Sequence, residues 1–222
     1  MTKTYAIKER FRTVQGEGYY AGTPALFIRF AGCNMWSGHE EDRDRDAVRN
    51  EAHCPRWCDT DFVGGEKTRL DQILDFVEAS KAVPMIVLTG GEPMLRVDEE
   101  LLVELARVAP EARIAIETNG TVKPKWNYPE ASSLSDPRFW ITLSPKQRRA
   151  RIVLPWANEI KLVWPDYDPA EWTDYPADHW FVQPRADRTI RDEVNEREAA
   201  LYVSEGYRWR LSLQTHKITR MR

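Results

Sequence analysis

The chain has little cysteine, no strong excess of charge of either sign and no long apolar run. Three cysteines in 222 residues are too few for a disulfide framework, and an odd number leaves at least one thiol free. The formal charge is -3, whereas proteins that grip nucleic acid usually carry a strong basic excess. No nucleic-acid partner is therefore expected. No apolar run approaches the roughly 20 residues of a membrane helix, so no membrane is expected either. Met1-Thr2-Lys3-Thr4-Tyr5 lacks the apolar stretch of a signal peptide. The expected location is cytoplasmic, where thiols stay reduced. No internal repeat or low-complexity tract stands out. What remains is 42% hydrophobic residues, enough for a core without covalent staples. The nine tryptophans read as core and ring packing.

Apolar strand-like runs occur at Ala25–Phe30, Met85–Leu88, Arg113–Ile116, Trp140–Leu143, Ile160–Trp164, Trp180–Val182 and Trp209–Leu213. Helical spacing occurs at Leu70, Ile73, Leu74 and Val77, at Leu101, Leu102, Leu105 and Val108, and less clearly from Arg188 to Val203. Strands alternating with helices predict parallel βαβ units. Only three helices are convincing, and 118–139, 144–158 and 164–178 are expected to hold short turns. A full eight-fold barrel needs about 250 residues, so the α/β fold expected is an incomplete, open barrel. One domain is expected over 1–222, with residues 34–57 as a long insertion.

Each strand alternates an apolar face with a mixed one. Arg29 shares a face with Ala25 and Phe27; Glu117 with Ala115; Ser144 with Thr142; Glu159 with Lys161; Gln183 with His179. Two arrangements explain this: an antiparallel sheet with one wet face, or a barrel with a polar interior around a ligand. An unpaired buried charge costs several kcal/mol, so Arg29 is expected to meet Glu17 or a substrate carboxylate. Polar clusters follow the strand ends at Thr89-Gly90-Gly91-Glu92, Glu117-Thr118-Asn119-Gly120, Ser144-Pro145-Lys146, Gln183-Pro184 and Gln214-Thr215-His216. In parallel α/β folds that edge carries the ligand site; each cluster alone also suits a turn.

Cys33, Cys54 and Cys58 follow the first of these strands with the spacing C-x20-C-x3-C. Thiolates suit iron–sulfur clusters or zinc. Three thiolates on a four-iron cluster leave one iron open. Zinc would need a fourth ligand, for which His39 and His53 are at hand. Three small buried hydrophobes are the remaining reading.

Gln15-Gly16-Glu17-Gly18, Arg29-Phe30-Ala31-Gly32-Cys33-Asn34, Cys58-Asp59-Thr60, Thr89-Gly90-Gly91-Glu92-Pro93, Glu117-Thr118-Asn119-Gly120, Ser144-Pro145-Lys146 and Gln214-Thr215-His216-Lys217 occur in this order. Together they resemble the 7-carboxy-7-deazaguanine synthase family, radical S-adenosylmethionine (SAM) enzymes of queuosine and other deazapurine biosynthesis. Gly-Gly-Glu-Pro marks only the wider radical SAM superfamily; the first and last motifs are more specific.

The resemblance implies a reduced (β6/α3) barrel, a homodimer, and conversion of 6-carboxy-5,6,7,8-tetrahydropterin into 7-carboxy-7-deazaguanine and ammonia. It implies a [4Fe–4S] cluster, SAM and Mg2+, with an electron donor such as flavodoxin. Carried onto this chain, Cys33, Cys54 and Cys58 would hold the cluster. Trp57, Cys58, Asp59, Gly91, Glu92, Ser144, Pro145, Lys146, Gln183, Pro184, Arg185 and Ala186 would meet SAM, with Gly90 and Gly91 letting backbone approach its methionine amine. Val14, Gln15, Gly16, Glu17, Arg29, Thr89, His216 and the terminal Arg222 would meet the pterin, and Thr60 the Mg2+. Another small radical SAM enzyme, such as a glycyl-radical activase, is the nearest alternative. A zinc-stabilised binding module is the alternative of another class.

The chain departs from the family's usual C-x2-C ending. Its Cys54-Pro55-Arg56-Trp57-Cys58 is one residue longer, and Pro55 is expected to bulge outward. Simpler roles remain for single residues. Gln15–Gly18 suits a hairpin-like loop, Arg29 an ion pair with Glu17 or Glu117, Lys161 a pair with Glu159, and His216 a core position.

Overall fold

The computed structural model describes residues 3–80, 83–126, 137–186, 192–206 and 208–221. In chain order the elements are β1 (Thr4–Val14), β2 (Pro24–Phe30), α1 (Arg43–Arg49), β3 (Glu66–Arg69), α2 (Leu70–Ala79), β4 (Met85–Gly90), α3 (Glu99–Val108), β5 (Arg113–Thr118), β6 (Phe139–Leu143), β7 (Ala157–Trp164), β8 (Ala177–Pro184), α4 (Glu193–Glu205), β9 (Trp209–Leu211) and α5 (Thr215–Thr219). The strands form one open sheet in the order β3-β1-β2-β4-β5-β6-β7-β8-β9. From β2 to β9 every neighbouring pair is parallel. β1 runs antiparallel to both β2 and β3. The purely antiparallel alternative therefore falls.

The predicted alternation sets the two faces. Leu26, Ile28, Phe30, Ile86, Leu88, Ile114, Ile116, Leu143, Ile160, Leu162 and Val182 point to one side. There they bury against Ile73 and Val77 of α2, Leu101, Leu102 and Leu105 of α3, and Ala199 of α4. Each such side chain gains about 1.5–3 kcal/mol on burial, so a register slip by one residue would forfeit the whole set. The other face carries a small apolar floor of Ala25, Met85, Val87, Ala115 and Trp140. Beyond it, Thr142, Glu159, Lys161 and Gln183 are buried polar groups.

The sheet curls around this second face. The loop after β1 reaches strands far along the sheet: Tyr19 N donates to Glu159 Oε2 of β7 at 2.8 Å, and the Tyr19 ring stacks on His179 of β8 at 4.3 Å. Gly18 N donates to Ser212 Oγ beyond β9 at 2.9 Å.

Several expectations are corrected. β1, β3, α1 and α5 were not anticipated, and β9 ends at Leu211 rather than 213. The helix expected from Arg188 runs from Glu193 to Glu205, and residues 187–191 lie outside those described. The short turns expected within 144–158 and 164–178 are present as single 3-10 turns, Arg149–Arg151 and Pro169–Trp172, while residues 127–136 of the stretch 118–139 lie outside those described.

Candidate active site

Cys33 sits just past β2, while Cys54 and Cys58 close the inserted loop. The additional residue of the C-x3-C motif is absorbed in one helical turn. Trp57 N donates to Cys54 O at 3.1 Å and Cys58 N to the same oxygen at 2.8 Å. Positions i and i+4 of a helical turn share a face, with Cβ atoms roughly 5–6 Å apart, so the longer motif still presents both thiols together. The expected outward bulge is wrong: Pro55 is buried as the second residue of the turn, where its missing N–H needs no partner within the turn.

All three cysteines line a cavity of about 190 Å3 with Met35, Trp36, Trp57, Gly90 and Gly91. Among the described residues, no three His, Cys, Asp or Glu side chains converge on a single metal ion. His39 and His53 are exposed and neither lines this cavity, so the zinc alternative finds no histidine to serve as its fourth ligand there. A cubane places its irons at separate corners and spreads its thiolates wider than tetrahedral zinc does. Burial pushes the Cys33 thiol up to about 11 and raises Cys54 as well; metal binding requires those protons to leave.

A second cavity of about 520 Å3 adjoins the first. Val14, Gln15, Gly16, Glu17, Arg29, Thr89 and His216 all line it. Glu17, Asp59, Thr60, Thr89, Glu117 and Gln214 line both cavities and form their common wall. Lys161, which lines the smaller cavity, pairs with two carboxylates of that wall. Its Nζ is 2.6 Å from Glu17 Oε2 and 3.5 Å from Glu117 Oε1. Glu117 also accepts from Gln15 Nε2 and Thr89 Oγ1, both at 3.1 Å. Gln214 Nε2 donates to Glu17 Oε1 at 2.8 Å. Burial alone would raise the Glu17 carboxyl, but Lys161, His216 and Gln214 outweigh it and hold it well below the usual carboxylate range. Burial would likewise neutralise Lys161; attraction to Glu117, Glu17 and Glu159 keeps it charged. The pairing of Lys161 expected with Glu159 is thus taken by Glu17 and Glu117, which approach from other segments.

Arg29 meets a protein carboxylate other than those expected. Its Nε lies 3.0 Å from Glu9 Oε1 on β1, in the register that faces Glu9 to Arg29. The contact is an ion pair without hydrogen-bond geometry. Glu9, rather than Glu17 or Glu117, is the carboxylate that pairs with Arg29.

The residues expected to meet SAM divide. Trp57, Cys58, Asp59, Gly91, Ser144, Lys146 and Gln183 line the smaller cavity. Pro184, Arg185 and Ala186 line a crevice that continues from it past Trp57, Asp59 and Gln183. Pro145 is buried between its neighbours. Glu92 is fully buried and lines neither cavity: it accepts from Met94 N, Thr118 Oγ1 and Asn119 N at 3.0, 2.7 and 2.7 Å. Burial pushes its carboxyl up to about 6 against these bonds.

The glycines serve packing. A side chain on Gly90 would strike the Phe30 backbone, and one on Gly91 would strike Gly32 O and Cys33 Cβ. One on Gly16 would strike the His216 ring, which places that histidine against the site loop. Arg222 lies outside the described residues. Lys161, Glu117, Gln214, Lys217 and Phe11 are among the lining residues that sequence reasoning did not assign to the site; the first four lie in strands or motifs it had singled out.

Family models give no match to the chain. It is 39% identical to the 7-carboxy-7-deazaguanine synthase of Bordetella pertussis, over 96% of this chain and 97% of that protein. It is 41% identical to the protein of the same name from Burkholderia multivorans, with the same coverage. A crystal structure of QueE from Escherichia coli superposes with a TM-score of 0.64 at 24% identity, covering 95% of this chain and 94% of that one; it supports the fold alone.

Proposed function

The chain belongs to the 7-carboxy-7-deazaguanine synthase family, and on that premise we propose how its two cavities divide the family's reaction. That reaction is the radical SAM ring contraction of 6-carboxy-5,6,7,8-tetrahydropterin to 7-carboxy-7-deazaguanine with release of ammonia, a lyase reaction. The observation that carries the assignment is the wall of Glu17, Asp59, Thr60, Thr89, Glu117 and Gln214 shared by the cysteine cavity and the larger polar one.

Cys33, Cys54 and Cys58 would hold a [4Fe–4S] cluster; three thiols opening into one cavity fit that donor set. When bound, the cluster and SAM supply the one-electron chemistry that starts the reaction. Trp57, Asp59, Gly91, Ser144, Lys146 and Gln183 would line the SAM position, and Pro184, Arg185 and Ala186 its continuation. Lys146 is held by Ser144 Oγ at 2.8 Å and lies 5.4 Å from the Trp57 ring centroid. It would offer a fixed cation to SAM.

The larger cavity falls in the 300–1,000 Å3 range of small-molecule sites and would take the pterin. Arg29 would receive the substrate carboxylate. Glu17 stays ionised and accepts, and Gln15 both donates and accepts, which suits the donor–acceptor edge of a pterin. Val14, Gly16, Thr89 and His216 would complete the wall. Thr60 would meet Mg2+, which needs few protein oxygens. The curled sheet would be the incomplete barrel of the radical SAM type, forming one domain over 1–222 with 34–57 as its cluster loop. A donor such as flavodoxin, a homodimer and a cytoplasmic location complete the proposal.

The test is anaerobic incubation of the reduced protein with SAM and 6-carboxytetrahydropterin, followed by mass spectrometry. The expected product is 7-carboxy-7-deazaguanine with an equal amount of ammonia. A pterin recovered unchanged, as an activase of protein radicals would leave it, contradicts the assignment.

A further inference from the structure

We propose that Arg43 is the positioning residue that makes the long C-x3-C motif competent, by clamping the Cys54–Cys58 turn and fixing a positive charge beside the cluster. This rests on the cluster assignment above. Arg43 opens α1, the helix of the inserted loop. Its Nη1 donates to Pro55 O at 2.5 Å, and Nη1 and Nη2 both reach Cys58 O at 3.2 Å. Its Nε bonds Glu40 at 2.7 Å, and the guanidinium lies 4.4 Å from the Trp36 ring centroid.

The need for this clamp follows from the motif length. Closing C-x3-C as a helical turn leaves its last carbonyls without partners inside the turn, and an unpaired buried carbonyl costs about 1–3 kcal/mol. A planar guanidinium can satisfy two carbonyls at once in a fixed fork, which an ammonium cannot reproduce. The same insert grips the other side of the cluster loop. Ser37 N donates to Asp46 Oδ2 at 2.8 Å, and Asn50 Nδ2 donates to Met35 O at 2.6 Å. Helix α1 therefore braces the segment after Cys33 against the Cys54–Cys58 turn, and Arg43 is the strut on the turn side.

The experiment compares wild type, R43K and R43Q after anaerobic reconstitution. It reads the rate at which an iron chelator strips the cluster, the cluster midpoint potential, and the thermal midpoint of the iron-free protein. Loss of a partner outside the metal's own ligands commonly weakens metal binding about 10–100-fold, so stripping is expected at least about 10-fold faster in R43Q. R43K is expected to fall between. The R43Q potential is expected to drop, because a positive charge that favours the reduced cluster is gone. R43K should keep the potential nearer to wild type while still losing cluster faster; a purely structural role would leave the potential unmoved in both. Wild-type stripping rates and potential in R43Q would overturn the proposal. Should R43Q fail to fold, wild-type stripping in R43K overturns it equally. A wild-type protein that takes up no cluster would instead refute the cluster assignment.

Discussion

Lys161 shows how one side chain can hold a polar site together. It is 3% exposed and sits between Glu17 and Glu117, which come from the loop after β1 and from β5. Removing one partner of a buried ion pair leaves the others uncompensated and costs roughly 3–5 kcal/mol. K161M is therefore expected to destabilise the protein by about that much at pH 7, read by urea unfolding, and to weaken pterin binding through a displaced Glu17. The pH dependence has a definite sign. Glu17 has a depressed pKa, so its stabilising contribution is full above the ordinary carboxylate value of about 4.3 and fades as pH falls below it. Lys161 is shifted upward, so its own contribution is lost only on the alkaline side. The gap between wild type and K161M should narrow on acidification below the ordinary carboxylate range. A gap that widens there would contradict the pairing.

At the scale of elements, the end of β4 is fitted against the start of the loop that carries the cysteines. Gly91 N and Glu92 N follow the edge of β2, bonding Phe30 O at 3.4 Å and Gly32 O at 3.0 Å, and there is no room for a Cβ on Gly91. G91A should displace Gly32–Cys33 at a cost of about 1–3 kcal/mol from overpacking. Iron binding should fall while far-ultraviolet circular dichroism keeps the native strand and helix signal. Full iron content in G91A would show that this contact does not set the loop.

The same elements show which parts of the fold were legible. The seven parallel strands alternate apolar and polar residues against a helical layer, and that period is local. β1 escaped because Lys8, Glu9, Arg10 and Arg12 break its apolar pattern on a half-exposed strand. Without β1, the Glu9 partner of Arg29 was invisible, and the arginine was given a partner from elsewhere. α1 buries only Asp46 and Ala47, so it has no apolar stripe to read. The motifs follow the ends of the parallel strands, and most of their residues line the two cavities. The meeting of Glu17 with Lys161, 144 positions apart, depends on the curl of the whole sheet, which no local pattern carries.

For the molecule as a whole, the parallel strands bring the C-terminal ends of β2, β4, β5, β6 and β7 to one rim, where such folds bind ligands. The loop after β1 crosses the curled face and closes the far wall, so the larger cavity and the cysteine cavity share side chains. The arrangement has a use only if the cysteines act as one ligand set. The most direct measurement is iron and acid-labile sulfide per chain in anaerobically prepared wild type and in C33A, C54A and C58A. The account expects about four irons and four sulfides in wild type and loss of cluster in each variant. Stoichiometric zinc in wild type, or full cluster occupancy in any one variant, would contradict it.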